Sequence, residues 1–138
     1  MQTRHIAVGA AVLAVVLAGC GGQPPALGGT TAKVAIDGKD TGNPHAVNCS
    51  QTGWMWTIET PDKAKGFTAV LGTGADVTVK SIDFRNFAGF SGTSWGDIGK
   101  SEVTGVGGKF TITGSADGNF TDNPSKAVTA TFRIEAHC

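Results

Sequence analysis

Between Lys33 and Cys138 apolar and polar side chains alternate with a period of two, in one short run after another. Val34 and Ile36 share a face in Lys33–Asp37, and Trp54, Trp56 and Ile58 alternate with Met55, Thr57 and Glu59. Phe67, Ala69 and Leu71 repeat the pattern, as do Val77 and Val79. Residues two apart on a strand point to the same side, so each run predicts a half-buried β-strand. Ile82 and Phe84 fall on the opposite parity from Val77 and Val79, which predicts a bulge or a break between them. Phe110 and Ile112 mark a further strand. The last run is the clearest: Val128, Ala130, Phe132, Ile134, Ala136 and Cys138 point one way, and Thr129, Thr131, Arg133, Glu135 and His137 the other. Cys49 shares the parity of Val47, so its sulfur and that of Cys138 are both expected to face the core.

Turn signals fall at Asp37-Gly38, Gly42-Asn43-Pro44, Gly107-Gly108, Asp117-Gly118 and Asn123-Pro124. No segment of the globular part carries a helical period. The fold expected is all-β, an antiparallel sandwich or strongly curved sheet over residues 33–138. Composition agrees: the 138 residues suit one domain, 21 are glycine, and Thr, Val and Ile are plentiful. Lys+Arg and Asp+Glu balance at 11 each, so no net field draws the chain to nucleic acid or to an anionic membrane surface.

The opening MQTRHIAVGAAVLAVVLAGC has a different organisation. Arg4 and His5 precede an unbroken apolar run from Ile6 to Leu17. As a helix that run would span about 18 Å, well short of the roughly 30 Å hydrocarbon core, so it reads as a secretory h-region. Leu17-Ala18-Gly19-Cys20 resembles a bacterial lipobox. On that reading residues 1–19 are a cleaved signal peptide and Cys20 carries the acyl chains that anchor the protein, palmitate-type lipid included, at the outer face of the cell membrane. GGQPPALGGTTA follows, rich in Gly and Pro and uncharged, and residues 20–32 read as a lipidated start and short tether. Removing Arg4 leaves 10 basic against 11 acidic side chains, a net charge near −1. Cys49 and Cys138 then form an even pair. In an exported domain such a pair reads as a disulfide, with two free thiols as the alternative.

Candidate chemistry is sparse. The mature chain has two histidines, His45 and His137, and no motif for zinc, nucleotide or acyl-transfer chemistry. The expectation is a protein that is not an enzyme and holds no metal or other cofactor. Asp37–Asp40 and Asp117–Asp122 supply oxygen ligands without a calcium-loop pattern, and hairpin turn chemistry accounts for both Asp-Gly pairs. Trp54 and Trp56 are expected to pack in the core, with contact to a sugar ring or an acyl chain as the alternative. In Phe84–Gly99, FRNFAGFSGTSWGDIG, the aromatics Phe84, Phe87, Phe90 and Trp95 are spaced by small residues. They are candidate contacts for a lipid or glycan, or else side chains of a glycine-rich crossover that plug the core.

Several stretches, taken in order, resemble one family. Lys33-Val34-Ala35-Ile36-Asp37-Gly38-Lys39-Asp40 and Val47-Asn48-Cys49 are similar to the start of the mature domain of the mycobacterial lipoprotein antigens of the LpqH type, the nineteen-kilodalton antigen. Phe67-Thr68-Ala69-Val70-Leu71, Val79-Lys80-Ser81, Lys109-Phe110-Thr111-Ile112-Thr113-Gly114 and Phe132-Arg133-Ile134-Glu135-Ala136-His137-Cys138 continue the likeness. The resemblance implies a surface-exposed envelope lipoprotein with no assigned catalysis, acylated at Cys20, with a Cys49–Cys138 disulfide. It also implies a host receptor of the Toll-like type as a partner for the acyl chains, and phagocyte adhesion. The chain departs from the family in its tether, where only Thr30 and Thr31 stand for a long Thr/Ser-rich stretch.

Overall fold

The structure, a computed structural model, describes residues 30–42 and 44–138. The proposed signal segment, Cys20 and all of the tether before Thr30 lie outside the described residues. Within them the chain forms strands β1 (Thr31–Ile36), β2 (Lys39–Asp40), β3 (His45–Ala46), β4 (Asn48–Thr52), β5 (Met55–Glu59) and β6 (Gly66–Thr73). These are followed by β7 (Val77–Phe87), β8 (Phe90–Trp95), β9 (Lys100–Val106), β10 (Lys109–Phe120) and β11 (Asn123–His137), with no helix among the described residues.

All strands pair antiparallel in one sheet, in the order β2-β1-β11-β10-β8-β7-β6-β5-β4. The edge of β10 away from β11 is shared. Lys109–Ser115 pairs with β9, and Asp117–Phe120 pairs with β8. One core cluster draws on both ends of this sheet: Val34 of β1, Ile134 of β11 and Ile112 of β10 pack with Phe84 of β7, Leu71 of β6 and Ile58 of β5. A single sheet can enclose a single core only by curling its apolar face inward, so the architecture is a strongly curved sheet and not a sandwich.

The hydrogen-bonded ladder does not close on itself. A single segment crosses the gap instead. His45 and Ala46 pair with Ala32 and Thr31 at one edge, Val47 N–H donates to the Thr30 carbonyl (3.1 Å), and Asn48–Thr52 pairs with β5 at the other edge. The Cys49–Cys138 disulfide ties this seam to the end of β11, with its Cα atoms 5.9 Å apart. Both cysteines are partly buried against the core, as their parity requires.

Alternation along the chain placed most strands correctly. The parity break before Ile82 is a bulge: Val70 pairs with Ser81 and Leu71 with Val79, which leaves Lys80 as the extra residue. Asp37-Gly38 (φ 50° and 74°) and Gly107-Gly108 (φ 58° and 80°) are two-residue hairpin turns with positive φ at both positions. Pairing starts at Thr31, two residues ahead of the expected boundary, because Ala32 is buried opposite Ala136.

Four expectations are corrected. Asn123-Pro124 opens β11, and the turn falls just before it at Thr121-Asp122. Asp117-Gly118 is the interior of β10 and not a turn. Glycine is needed at 118 because a Cβ there would lie 1.9 Å from the Ser91 carbonyl oxygen, where β8 crosses close to β10. Asp117 accepts a hydrogen bond from the Thr129 hydroxyl (2.7 Å), a cross-strand tie. Trp54 is not in the core. It sits in the β4–β5 turn after Gly53 (φ 57°) and is 73% exposed, while Trp56 alone turns inward, 5.8 Å from the Phe110 ring. Phe84–Gly99 is not a crossover but the β7–β8 hairpin, which turns at Ala88-Gly89 (φ 50° and 80°) and leads into the turn before β9.

Two outcomes are expected. The sulfur atoms close a loop with a sequence separation of 89. Cys138→Ser therefore lowers unfolding free energy by about 3–5 kcal/mol under oxidising conditions, read from denaturant midpoints with the slope held in common. Gly118→Ala costs about 1–3 kcal/mol, since β8 must shift to admit the methyl group. The same substitution at Gly38, where no atom lies within 4 Å, meets no such clash and acts only through its positive φ.

Candidate functional site

The four aromatic candidates separate into two environments. Phe84 and Phe90 are 1% exposed and Phe87 is 6% exposed. The Phe84 ring lies 5.3 Å from Phe132 and 5.7 Å from Phe90, Phe87 meets Phe67 edge-on at 5.6 Å, and Phe90 lies 5.2 Å from Phe120. These three rings fill the floor of the curled sheet and line no solvent-reachable groove. The glycine among them serves packing, because a Cβ on Gly92 would fall 2.4 Å from the Phe90 ring. Trp95 alone faces solvent, at 64% exposure, beside Ile98, with which it exchanges backbone hydrogen bonds of 2.8 and 2.9 Å.

Of the polar candidates, His45, Asp37 and Asp117 make structural ties. His45 lies against the Phe87 ring (4.8 Å). The Thr41 hydroxyl donates to the Val34 carbonyl (2.7 Å), which leaves its oxygen to accept from His45 Nε2–H (2.9 Å). Burial of the ring holds the His45 pKa below the usual histidine value, and the nearby Asp40 charge offsets this in part. His137 is exposed at the end of β11, opposite Thr31 and Lys109. No three His, Cys, Asp or Glu side chains cluster among the described residues. Asp37 takes part in a tie across the sheet, accepting from Thr131 N–H (2.9 Å) while its own N–H donates to the Thr131 carbonyl (2.8 Å).

Sequence reasoning missed one polar group. Arg85, on the outer face of β7, donates from Nε to the Lys63 carbonyl (2.8 Å) and from Nη1 to Thr68 Oγ1 (3.1 Å) and Asp83 Oδ2 (2.8 Å). It pins the 60–65 connection to the sheet. Its signal was present, because Asp83 and Arg85 alternate with the inward Ile82 and Phe84.

Hollows in the surface are small. That beside Trp54, Met55, Lys80 and Asp76 measures about 310 Å³, and that beside Ile36, Ala88 and Phe120 about 270 Å³. Both lie at or below the small end of ligand sites.

The exposed apolar side chains have a pattern of their own. Thr31 and Lys109 both stand opposite His137, and Val106 stands opposite Lys109, so the start of β1 and the β9–β10 turn share one rim. A Cβ on Gly105 would lie 3.7 Å from Val77, which pairs with Thr73, and Thr73 N–H donates to the Trp54 carbonyl (2.7 Å). The Trp56–Phe110 contact closes the circuit across the interior. Trp54, 39%-exposed Met55 and 81%-exposed Val106 thus crown the rim at which the chain enters β1.

Fold and side chains together define a small disulfide-tied β domain whose large exposed apolar side chains stand mainly at its turns. The chain belongs to the Mycobacterium 19 kDa lipoprotein antigen family, whose profile matches residues 25–138. A Mycobacterium indicus pranii protein with a provisional lipoprotein name is 36% identical over the full length of both chains. Lipoprotein LpqH of Mycobacterium avium is 34% identical over 77% of this chain and 67% of its own. The probable lipoprotein LppE of Mycobacterium tuberculosis is 31% identical over 94% of this chain and 92% of its own.

The lowered His45 pKa has a testable sign. The unfolded chain takes up a proton near the ordinary value of 6.5, and the folded ring only at lower pH. The contribution of His45 is therefore full above the unfolded pKa and is lost as pH falls toward the folded one. Stability measured from about pH 7 to about pH 5 should fall more steeply in the wild type than in His45→Gln.

Proposed function

We propose that the protein is a non-enzymatic lipoprotein of the cell envelope, exported by residues 1–19 and held at the outer face of the cell membrane by acyl chains on Cys20. The observation that carries this reading is Leu17-Ala18-Gly19-Cys20 ahead of a chain whose family is a lipoprotein antigen family. A thioether-linked diacylglycerol and an acylated amino terminus supply more than one chain, which is what stable anchoring needs. The β domain then serves as a displayed surface whose partners are macromolecules meeting its outer face and hairpin tips. A host receptor for the acyl chains is the partner that the family resemblance adds. A carrier of lipid or glycan is the weaker reading, because three of its four proposed contact rings are used in the core.

The anchor is tested by growing cells with a labelled fatty acid. The wild-type chain takes up the label, and Cys20→Ser takes up none and accumulates as an unprocessed or released form. Label retained on Cys20→Ser would overturn the reading.

A further inference from the structure

Trp54 and Val106 are large apolar side chains at hairpin tips, 73% and 81% exposed, and the fold itself makes no use of them. Both stand on the rim where β1 begins. Ten residues separate Thr30 from Cys20. Fully extended they reach at most about 36 Å, while a domain of this length is about 34 Å across. A tether that barely exceeds the width of the body it holds is shorter than the roughly 50 Å path round that body, so it cannot lead to the far side and leave the body free to turn over. The rim from which it departs is therefore the side nearest the bilayer. Tryptophan favours the boundary between headgroups and acyl chains, where its ring is buried and its indole N–H stays wet. Lys109 beside Val106 and Lys80 beside Trp54 bring cations to the same rim, where Asp76 lines the hollow beside Trp54 and Glu135 is near enough to Lys109 to feel its charge.

We propose that this rim docks on the outer leaflet of the membrane that holds the anchor, with Trp54 and Val106 inserted at headgroup level, so that the domain lies on the bilayer instead of swinging above it. The proposal rests on acylation at Cys20, and its test separates the two. The full lipidated chain is reconstituted into vesicles of phosphatidylglycerol and phosphatidylcholine brominated on its acyl chains, floated on a density step, and read by tryptophan emission.

Chains that float should lose the share of emission that one tryptophan among three contributes. Trp54→Phe should abolish that loss, and Trp95→Phe should leave it intact. Chains that float with no bromine quenching, or with quenching untouched by Trp54→Phe, overturn the docking and leave the anchor standing. Emission that shifts to the blue without quenching places Trp54 against a second copy of the chain and also overturns it. Chains that fail to float overturn the anchor, and the docking with it.

Discussion

The seam at residues 45–52 is the constraint on which the rest of the molecule depends. A single sheet with a filled interior must bring its two edges together, and two unpaired edges left side by side would each expose a row of backbone donors and acceptors. Here one short segment meets both edges in turn, β3 at one and β4 at the other, and Cys49 within it is bonded to Cys138. Closure is thus a matter of two hydrogen-bonded ends and one covalent bond, not of a continuous ladder. The remaining strands need only supply inward rings and aliphatic groups.

That interior leaves little for chemistry. Phe67, Phe84, Phe87, Phe90 and Phe132 pack against one another on the floor of the curl, and Ile58, Ile112 and Ile134 continue the core above them. Of the polar side chains, Asp37, His45, Arg85 and Asp117 are held in hydrogen-bonded ties between strands and connections. Membership in a lipoprotein antigen family accords with that distribution.

Alternation revealed the strands because burial on one face of a sheet forces a period of two. Even the bulge at Lys80 was legible, as a change of phase that no straight strand can make. Errors fell where glycine was read for its flexibility. At Gly118 it is present because the Ser91 carbonyl of the neighbouring strand stands where a side chain would be, a fact of tertiary contact that no local pattern carries. Likewise Trp54 and Trp56 share a parity, yet the strand begins at Met55, so that one ring falls in the turn and the other in the core. β9 was not foreseen, since most of its side chains are at least partly exposed and its place depends on sharing the edge of β10. The tether rim lay beyond reach of the sequence for a similar reason: it gathers residues from turns far apart in the chain.

The disulfide joins residues 49 and 138, and β1 lies outside the loop it closes. Any pull arriving through the N-terminal segment enters the fold at Thr31 and loads the β1–β11 ladder first. What such a force can peel away without breaking a covalent bond is the stretch before Cys49, namely β1, β2 and β3. From Cys49 onward the chain stays a ring, whose slack is bounded by the sulfur bridge. Mechanical resistance is therefore divided into a sacrificial leading edge and a body that can loosen but cannot be drawn out into a line.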